Sequence, residues 1–434
     1  MLGLMRLVSA YRDLLLTVLI GAAVLPATAG TPPDPREDNV AFVRFASKQL
    51  CSAPSLSTAE KIARLKAHSL DHATPIRRNG TIVGWREQYR LATGGSLQVL
   101  RMGQGDRVGR WQFTYANARP ELTAFAGPDC TLLGGRWLIY DEKGHRQTLA
   151  QYGRDLVEIV SREPLNPPIP AGRDPGGVVV ALFDSGINYT LKPIARHLAR
   201  APNGQALGYD FWDGDARPFD EDSGASPFFP RRHGTAIAGL ILREFPRVRL
   251  LPYRYPRPDM RRMADMVRAA ESNGAVIVSM PMGSTAKSDW HAFVAAARAR
   301  PDMLFVISAG NNGRDIDNEP VYPAAFNLEN FLVVTSAGPF GTIAQGSNWG
   351  AKSVDLMVPA EQMEALDFDG RERPRSGSSQ AVARTVAIAA RLLRRHPRWR
   401  APALKKAILK HARITTKSRG ATRYGWIADP LSIK

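Results

Sequence analysis

The chain has 434 residues and a formal net charge of +18 at pH 7, because 58 Lys and Arg outnumber 40 Asp and Glu. Its hydrophobic fraction of 44% and charged fraction of 23% are ordinary for a folded protein and exclude wholesale disorder, and the length is enough for two domains. No Lys/Arg block exceeds a pair and no zinc-finger spacing occurs. We therefore expect a solvated basic surface without specific nucleic-acid binding, and electrostatic contact with anionic cell-envelope polymers stays open.

The first 29 residues have the pattern of an export signal. Two arginines precede the first acidic residue, Asp13, residues 14–25 are almost wholly apolar, and Ala27-Thr28-Ala29 has the small-x-small form of a cleavage site. An uncleaved anchor is the weaker alternative, because the apolar run is shorter than the roughly 18 to 20 residues that span a bilayer. We expect cleavage after Ala29 and a periplasmic or extracellular protein.

Residues 30–160 are predicted to form a small α+β domain. A Pro-rich lead-in over 30–45 overlaps the first of two short helices predicted within 41–70, and Ser57 caps the second. Short aromatic and β-branched runs at 81–91, 96–102, 110–115, 136–140 and 147–152 then predict an antiparallel sheet. The glycines between 103 and 109 indicate a hairpin turn rather than a phosphate loop. Cys51 and Cys130 are the only cysteines, and an even count in an exported chain predicts one disulfide.

Residues 161–177 contain five prolines and three glycines, which is typical of an interdomain linker. Beyond them, apolar strands are predicted at 178–183, 248–251, 276–280, 304–308, 331–336 and 354–358. Helical patterns lie between or after them at 187–200, 235–243, 260–272, 290–300 and 379–396. This alternation predicts that 178–434 is a doubly wound α/β domain with a mainly parallel sheet, whose ligand site lies at the carboxyl ends of the strands.

Four polar residues fall at that predicted edge of the sheet. Asp184 ends the first strand, His233 opens a helix, Asn311 follows another strand, and Ser379 stands in a Gly-Ser turn at the mouth of a long apolar helix. Taken singly, each residue is explained by an ordinary structural role, as a helix cap, an incidental histidine or a turn residue. Together they supply a nucleophile, a base, an orienting acid and an oxyanion donor, which is a complete set for acyl transfer.

The three segments Asp184-Ser185-Gly186, His233-Gly234-Thr235 and Gly377-Ser378-Ser379 resemble, in that order, the catalytic motifs of the subtilisin-like serine peptidases (subtilases). The resemblance covers about 176–429 and none of the N-terminal domain. It implies an exported serine endopeptidase that needs no cofactor, with an Asp184, His233 and Ser379 triad and with Asn311 assisting the Ser379 N–H at the oxyanion. It also implies a pocket with a preference for an apolar side chain, lined by Met280, Pro281, Met282, Gly283, Ser308, Ala309 and Gly310.

The chain departs from the family pattern in several places. Ser378, Gln380 and Ala383 replace the usual Thr, Met and Pro around the serine, and residues 225–232 form a Pro- and Phe-rich insertion before His233. Four acids ahead of that histidine suggest calcium by family analogy, but without a full ligand pattern we expect solvated loop acids. These are Asp213, Asp215, Asp220 and Asp222.

The altered serine motif and the basic charge leave a second function open. In this second hypothesis the chain has the same fold but little or no catalytic activity, and it serves as a binding or scaffolding protein of the cell envelope. The role of the N-terminal domain also has two readings. It is an inhibitory propeptide, for which it is long, or a retained accessory domain, which a disulfide suits better.

Overall fold

The computed structural model describes residues 37–52, 55–104 and 107–433. The chain divides into two compact units, of which the first comprises residues up to 140 together with 148–163, and the second comprises 141–147 and 164 onward. The change of unit after Glu163 falls inside the predicted linker. The predicted export signal, residues 1–29, lies outside the described residues. Within the described ranges, no helix has the length and apolar character needed to cross a bilayer.

The first unit is an eight-stranded antiparallel sheet with two helices. Its helices are α1 (Glu37–Cys51) and α2 (Thr58–Leu65), and Ser57 caps α2 through a capping box, as predicted. The strands follow one another in chain order across the sheet. They are β1 (Ala67–Arg78), β2 (Thr81–Leu91), β3 (Ser96–Gln104), β4 (Arg107–Asn117), β5 (Arg119–Ala126), β6 (Leu132–Tyr140), β7 (Arg146–Tyr152) and β8 (Ile159–Pro164).

The core of this unit lies where α1 packs on the inner face of the sheet. Val43 and Leu50 of α1 are buried with Phe113 of β4. The predicted disulfide between Cys51 and Cys130 is confirmed, and it joins the end of α1 to the loop between β5 and β6. The predicted lead-in over 30–45 is wrong from residue 37 onward, because α1 begins there. Residues 30–36 lie outside the described ranges.

The second unit is built on a seven-stranded sheet in the order β10-β11-β9-β12-β13-β14-β15, and each pairing in it is parallel. The predicted doubly wound, mainly parallel fold is therefore confirmed. The strands are β9 (Val178–Asp184), β10 (Tyr209–Asp210), β11 (Val248–Arg254), β12 (Ile277–Met280), β13 (Leu304–Ser308), β14 (Phe331–Ala337) and β15 (Leu356–Pro359). A hairpin of β16 (Met363–Leu366) and β17 (Glu372–Arg375) precedes the serine helix.

Helices cover both faces of this sheet, and two apolar clusters fill the space beneath them. The helices are α3 (Lys192–Ala195), α4 (Gly234–Glu244), α5 (Met263–Ser272), α6 (His291–Arg298), α7 (Ser378–Arg395) and α8 (Ala401–Leu409). One cluster includes Ile241 of α4, Val386 of α7 and Leu404 of α8, and the other includes Val267 of α5 and Phe293 of α6. The long helix α7 is buried along most of its length.

One predicted helix of this unit is wrong. Residues 187–200 contain only the single turn α3, although Ile187, Tyr189, Ile194 and Leu198 are buried at helix-like spacing. The Asn188 side chain accepts hydrogen bonds from the N–H and hydroxyl of Thr190, which stabilises a turn instead of a helix. The sequence patterns also missed α8 and the β16–β17 hairpin.

Candidate active site

Asp184 and His233 meet at the carboxyl edge of the sheet. Asp184 ends β9, where the strand order changes direction between β11 and β12, and its side chain is almost fully buried. Nδ1 of His233 lies 2.8 Å and 3.0 Å from the two carboxylate oxygens, and the Ser185 N–H donates to the same carboxylate at 2.7 Å. These contacts fix the imidazole with Nδ1 toward the acid.

Close backbone packing makes this contact possible. Gly234 follows His233 at the start of α4, and a Cβ atom placed there would lie 2.0 Å from the Gly186 carbonyl oxygen. Only glycine lets the start of α4 approach the loop after β9 so closely.

The surroundings of His233 favour its charged form. Burial disfavours the imidazolium, but the charge of Asp184, the hydrogen bond to it and the charge of Asp220 outweigh burial and raise the pKa of His233. Arg375 of β17 acts in the opposite direction. Asp367 neutralises part of that effect, since its carboxylate lies 2.6 Å from the Arg375 guanidinium. The surroundings of His233 therefore stabilise the imidazolium relative to a histidine in water.

Ser379 lies in the first turn of α7, directly after Gly377 and Ser378. Gly377 has a φ of 121°, a conformation that favours glycine and that turns the chain into the helix. The Ser379 hydroxyl donates to the Pro281 carbonyl oxygen at 3.3 Å. Within the described part of the chain it has no hydrogen bond to His233. The two side chains nevertheless line the same cleft.

Asn311 follows β13 and is fixed by the residue before Ser379. Its side-chain oxygen accepts from the N–H and from the hydroxyl of Ser378, each at 2.9 Å. Because a backbone N–H can only donate, the amide oxygen must face Ser378, which leaves the amide nitrogen on the other side. That nitrogen has no hydrogen-bond partner among the residues the structure describes, and Asn311 is exposed in the cleft.

The cleft has a volume of about 760 Å³ and brings together most of the residues singled out from the sequence. Those that line it are Asp184, His233, Asn311, Ser379, Pro281, Met282, Gly283, Ser308 and Gly310. Met280 and Ala309 are instead fully buried in the apolar cluster beneath it.

Several lining residues were not found from the sequence. Met260, Trp290 and Val321 add apolar surface, and Arg231, Arg232 and Arg257 add positive charge. Met260 and Trp290 lie in short 3-10 helices and the others in loops. These segments are distant from one another in the sequence, so no local pattern pointed to them.

Residues 176–426, more than half of the chain, match the family model described as the subtilase family. The chain belongs to the subtilase family. It is 26% identical over 255 residues to alkaline serine exoprotease A of Vibrio alginolyticus, covering 56% of this chain and 43% of that protein. It is 28% identical over 224 residues to the minor extracellular protease Vpr of Bacillus subtilis (strain 168), covering 45% and 27% respectively. This subtilase thus spans less than half the length of these curated relatives.

Among solved structures, a cold adapted subtilisin-like serine proteinase matches with a TM-score of 0.48 and 22% identity. The match covers 61% of this chain and 93% of that one. The family match lies within the second unit, and the N-terminal unit of this subtilase has no part in it.

Three of the four acids ahead of His233 are not solvated loop acids, contrary to the prediction, whereas Asp222 is partly exposed and lines the cleft. Asp220 is completely buried, and Asp213 and Asp215 interact with Arg254 and Arg217 respectively. Asp222 accepts from the Gly224 N–H at 2.9 Å. The residues that the structure describes contain no cluster of His, Cys, Asp and Glu side chains suited to a metal ion.

The replaced residues of the serine motif leave the helix intact. α7 runs without interruption from Ser378 to Arg395, with Gln380 and Ala383 buried inside it. The serine that replaces the usual Thr at position 378 keeps a hydroxyl, and that hydroxyl contacts Ser308 at 2.7 Å in addition to Asn311.

Proposed function

We propose that this subtilase is an exported serine endopeptidase. The observation that carries the proposal is the contact of both Asp184 oxygens with Nδ1 of His233, in the same cleft as Ser379 and the exposed amide of Asn311. Family membership and the names of its relatives support a proteolytic activity.

In the proposed reaction, the Ser379 hydroxyl rotates away from Pro281 and attacks the carbonyl carbon of the scissile bond. His233 takes the hydroxyl proton through Nε2, and Asp184 stabilises the imidazolium that forms. His233 then gives the proton to the departing amine, and a water molecule hydrolyses the acyl-enzyme by the same two proton transfers. The Asn311 amide and the Ser379 N–H donate to the oxyanion in each tetrahedral intermediate.

The shape of the cleft supports cleavage within a chain next to an apolar residue. Its volume is large enough for several substrate residues, and Met260, Trp290 and Val321 supply apolar surface beside the small residues Gly283 and Gly310. We therefore propose an apolar side chain on the acyl side of the scissile bond.

Hydrolysis of casein and of short peptides with a fluorogenic leaving group tests this function. Ser379→Ala and Asp184→Asn should each lower kcat/KM by at least about 10³-fold, and Asn311→Ala by about 10²- to 10³-fold in kcat. Asn318→Ala, whose parent side chain is exposed and donates a hydrogen bond to Asp315, is the matched control and should keep full activity. Equal activity of wild type and Ser379→Ala would contradict the proposal.

One observation favours the second candidate, a weakly active or inactive binding protein. It is the hydrogen bond from the Ser379 hydroxyl to Pro281 rather than to His233. This candidate predicts no hydrolysis by the wild type but full binding of envelope polymers by Ser379→Ala. Any electrostatic contact of the basic surface with anionic polymers should disappear in high salt.

Export and maturation are proposed from the first 29 residues and from the extracellular relative. Mass spectrometry of the N-terminus of the secreted protein checks both. We expect removal of residues 1–29 in every variant, and cleavage within 161–177 that occurs in wild type and not in Ser379→Ala if the N-terminal unit is a propeptide. An intact linker in both proteins would make the unit a retained accessory domain.

A further inference from the structure

The start of helix α4 lacks a cap from its own sequence. A helix leaves its first N–H groups without partners inside the helix, and the residue before it commonly supplies an acceptor. Here that residue is His233, whose side chain makes no such bond because its Nδ1 faces Asp184. Another acceptor has to hold the backbone of the proposed catalytic base.

The buried carboxylate of Asp220 supplies that acceptor. One oxygen accepts from the His233 N–H at 3.0 Å and from the Ser185 hydroxyl at 2.6 Å. The other accepts from the Thr235 N–H at 2.9 Å and from the Thr235 hydroxyl. The Gly234 N–H donates to the Ser185 hydroxyl at 3.1 Å. Three consecutive N–H groups, at His233, Gly234 and Thr235, therefore depend on Asp220 directly or through Ser185.

Asp220 is itself held against the loop that follows Asp184. The Ile187 N–H donates to the Pro218 carbonyl at 2.9 Å, and the Glu221 N–H donates to the Ser185 carbonyl at 2.7 Å. The Arg232 guanidinium donates to the Asp220 carbonyl oxygen. The carboxylate thus joins the main chain of His233 to the segment that carries Asp184, so it sets the distance between the two.

The contacts around Asp220 suit an ionised carboxylate. All four groups that contact its oxygens can donate, and two of them are backbone N–H groups that cannot accept. Burial raises the pKa of Asp220, and the hydrogen bonds from Ser185, Thr235 and His233 and the charge of Arg232 oppose that rise. The charge of Asp220, like that of Asp184, raises the pKa of the His233 imidazole, and the charge of Arg375 lowers it.

We propose that Asp220 is a positioning residue of the active site, which holds His233 against Asp184 and stabilises the imidazolium. The proposal rests on the proposed function. Asp220 does not touch the cleft, so it acts through His233 and not on the substrate.

The variant Asp220→Asn in the full chain tests the proposal, because it keeps the shape and removes the charge. The NH₂ group of an asparagine cannot accept, so at least two of the four donors lose their acceptor. We expect kcat to fall about three- to tenfold with KM unchanged within about twofold. The acid limb of the kcat/KM profile should move to lower pH by about 0.5, because the imidazolium loses a stabilising charge.

Asp355→Asn is the matched control. Asp355 is a buried carboxylate of the same unit that accepts from the Val333 N–H at 2.9 Å, and it contacts neither His233 nor the cleft. This variant should lower the midpoint of urea unfolding without moving the acid limb. The proposal is overturned if folded Asp220→Asn has the same kcat as wild type and the same midpoint of the acid limb.

Two further measurements keep the test independent of folding and of activity. If Asp220→Asn does not fold, the kcat of Ser185→Ala tests the proposal instead, because this variant removes the hydroxyl that links Gly234 to Asp220. A wild-type kcat in that variant would contradict the proposal. NMR titration of His233 in the Ser379→Ala background needs no turnover. A His233 pKa that Asp220→Asn leaves unchanged would sink the inference, whereas a lowered pKa in a chain without protease activity would sink only the proposed function.

Discussion

At the scale of residues, the site is defined by how its polar atoms are paired. Both oxygens of Asp184 contact His233, and the oxygen of Asn311 contacts Ser378. These contacts leave the amide nitrogen of Asn311 and Nε2 of His233 as the groups that face the cleft. The proposed base and the proposed oxyanion donor are thus oriented before any substrate binds, which is how enzymes avoid the cost of reorganisation during the reaction.

The raised pKa of His233 predicts the pH dependence of the activity. Proton transfer from Ser379 requires the neutral imidazole, so kcat/KM should rise as pH increases through the pKa of the free enzyme's histidine. Because Asp184 and Asp220 raise that pKa, we expect the midpoint of the acid limb above the ordinary value of 6.5. Stopped-time assays between pH 5 and 10 measure it, and a midpoint below 6.5 would contradict the electrostatics described for the site.

At the scale of elements, α4 begins directly after the proposed base His233, α7 carries the proposed nucleophile Ser379, and a buried ion pair connects the two helices. The Arg384 guanidinium of α7 contacts Glu244 at the end of α4 and also donates to the Pro359 carbonyl. Both side chains are less than 10% exposed. The pair fixes the register of the two helices far from the cleft, so its loss should affect stability first and catalysis second.

Arg384→Met leaves Glu244 as a buried carboxylate without its partner, and should lower the free energy of unfolding by about 3 kcal/mol at pH 7. Burial already raises the pKa of Glu244, and losing Arg384 raises it further, so the defect should shrink as the pH falls and Glu244 becomes protonated. Urea unfolding at two pH values measures this. The double variant Arg384→Met/Glu244→Gln is the control and should recover most of the loss. A single variant as stable as the double one would argue against the pair.

The elements also show what the sequence could and could not predict. The strands β9 and β11 to β15 could be predicted from the sequence because both of their faces are buried, which makes them continuous apolar runs. β1 was missed because it is largely exposed and lacks the alternation of a half-buried strand. The helix predicted at 187–200 failed because apolar side chains of a folded loop can have helical spacing. Local patterns cannot separate these cases, since tertiary contacts decide them.

The same limit applies to the site. Asp184, His233, Asn311 and Ser379 were predicted because each follows or begins a recognisable element at one edge of the sheet. Asp220 was expected to be a solvated acid. Its proposed role depends on contacts with Ser185, after β9, and with His233 and Thr235, which follow the insertion at 225–232. Ordinary loop composition carries no signal for such contacts.

At the scale of the whole molecule, the two units differ in what stabilises them. The second unit buries two large apolar clusters, whereas the described residues of the first unit form a smaller core and a disulfide. Cys51 and Cys130 are separated by 79 positions, so the bond restricts a long loop of the unfolded chain.

Replacing both cysteines with alanine should lower the free energy of unfolding of the first unit by about 4 kcal/mol. The unfolding of the second unit should not change. Calorimetry of the full chain with and without reductant measures both, and the double variant should be insensitive to reductant. An equal effect on the transitions of both units would show that the bond stabilises more than the unit that contains it.

The central claim is that Ser379 is an activated nucleophile, and covalent labelling with a fluorophosphonate tests it most directly. We expect a single modification, located on Ser379 by peptide mass mapping. It should be absent in Ser379→Ala and strongly slowed in His233→Ala, whether or not the N-terminal unit is present. A folded wild-type protein that stays unlabelled, in full-length form and after removal of the N-terminal unit, would contradict the assignment of this subtilase as a serine peptidase.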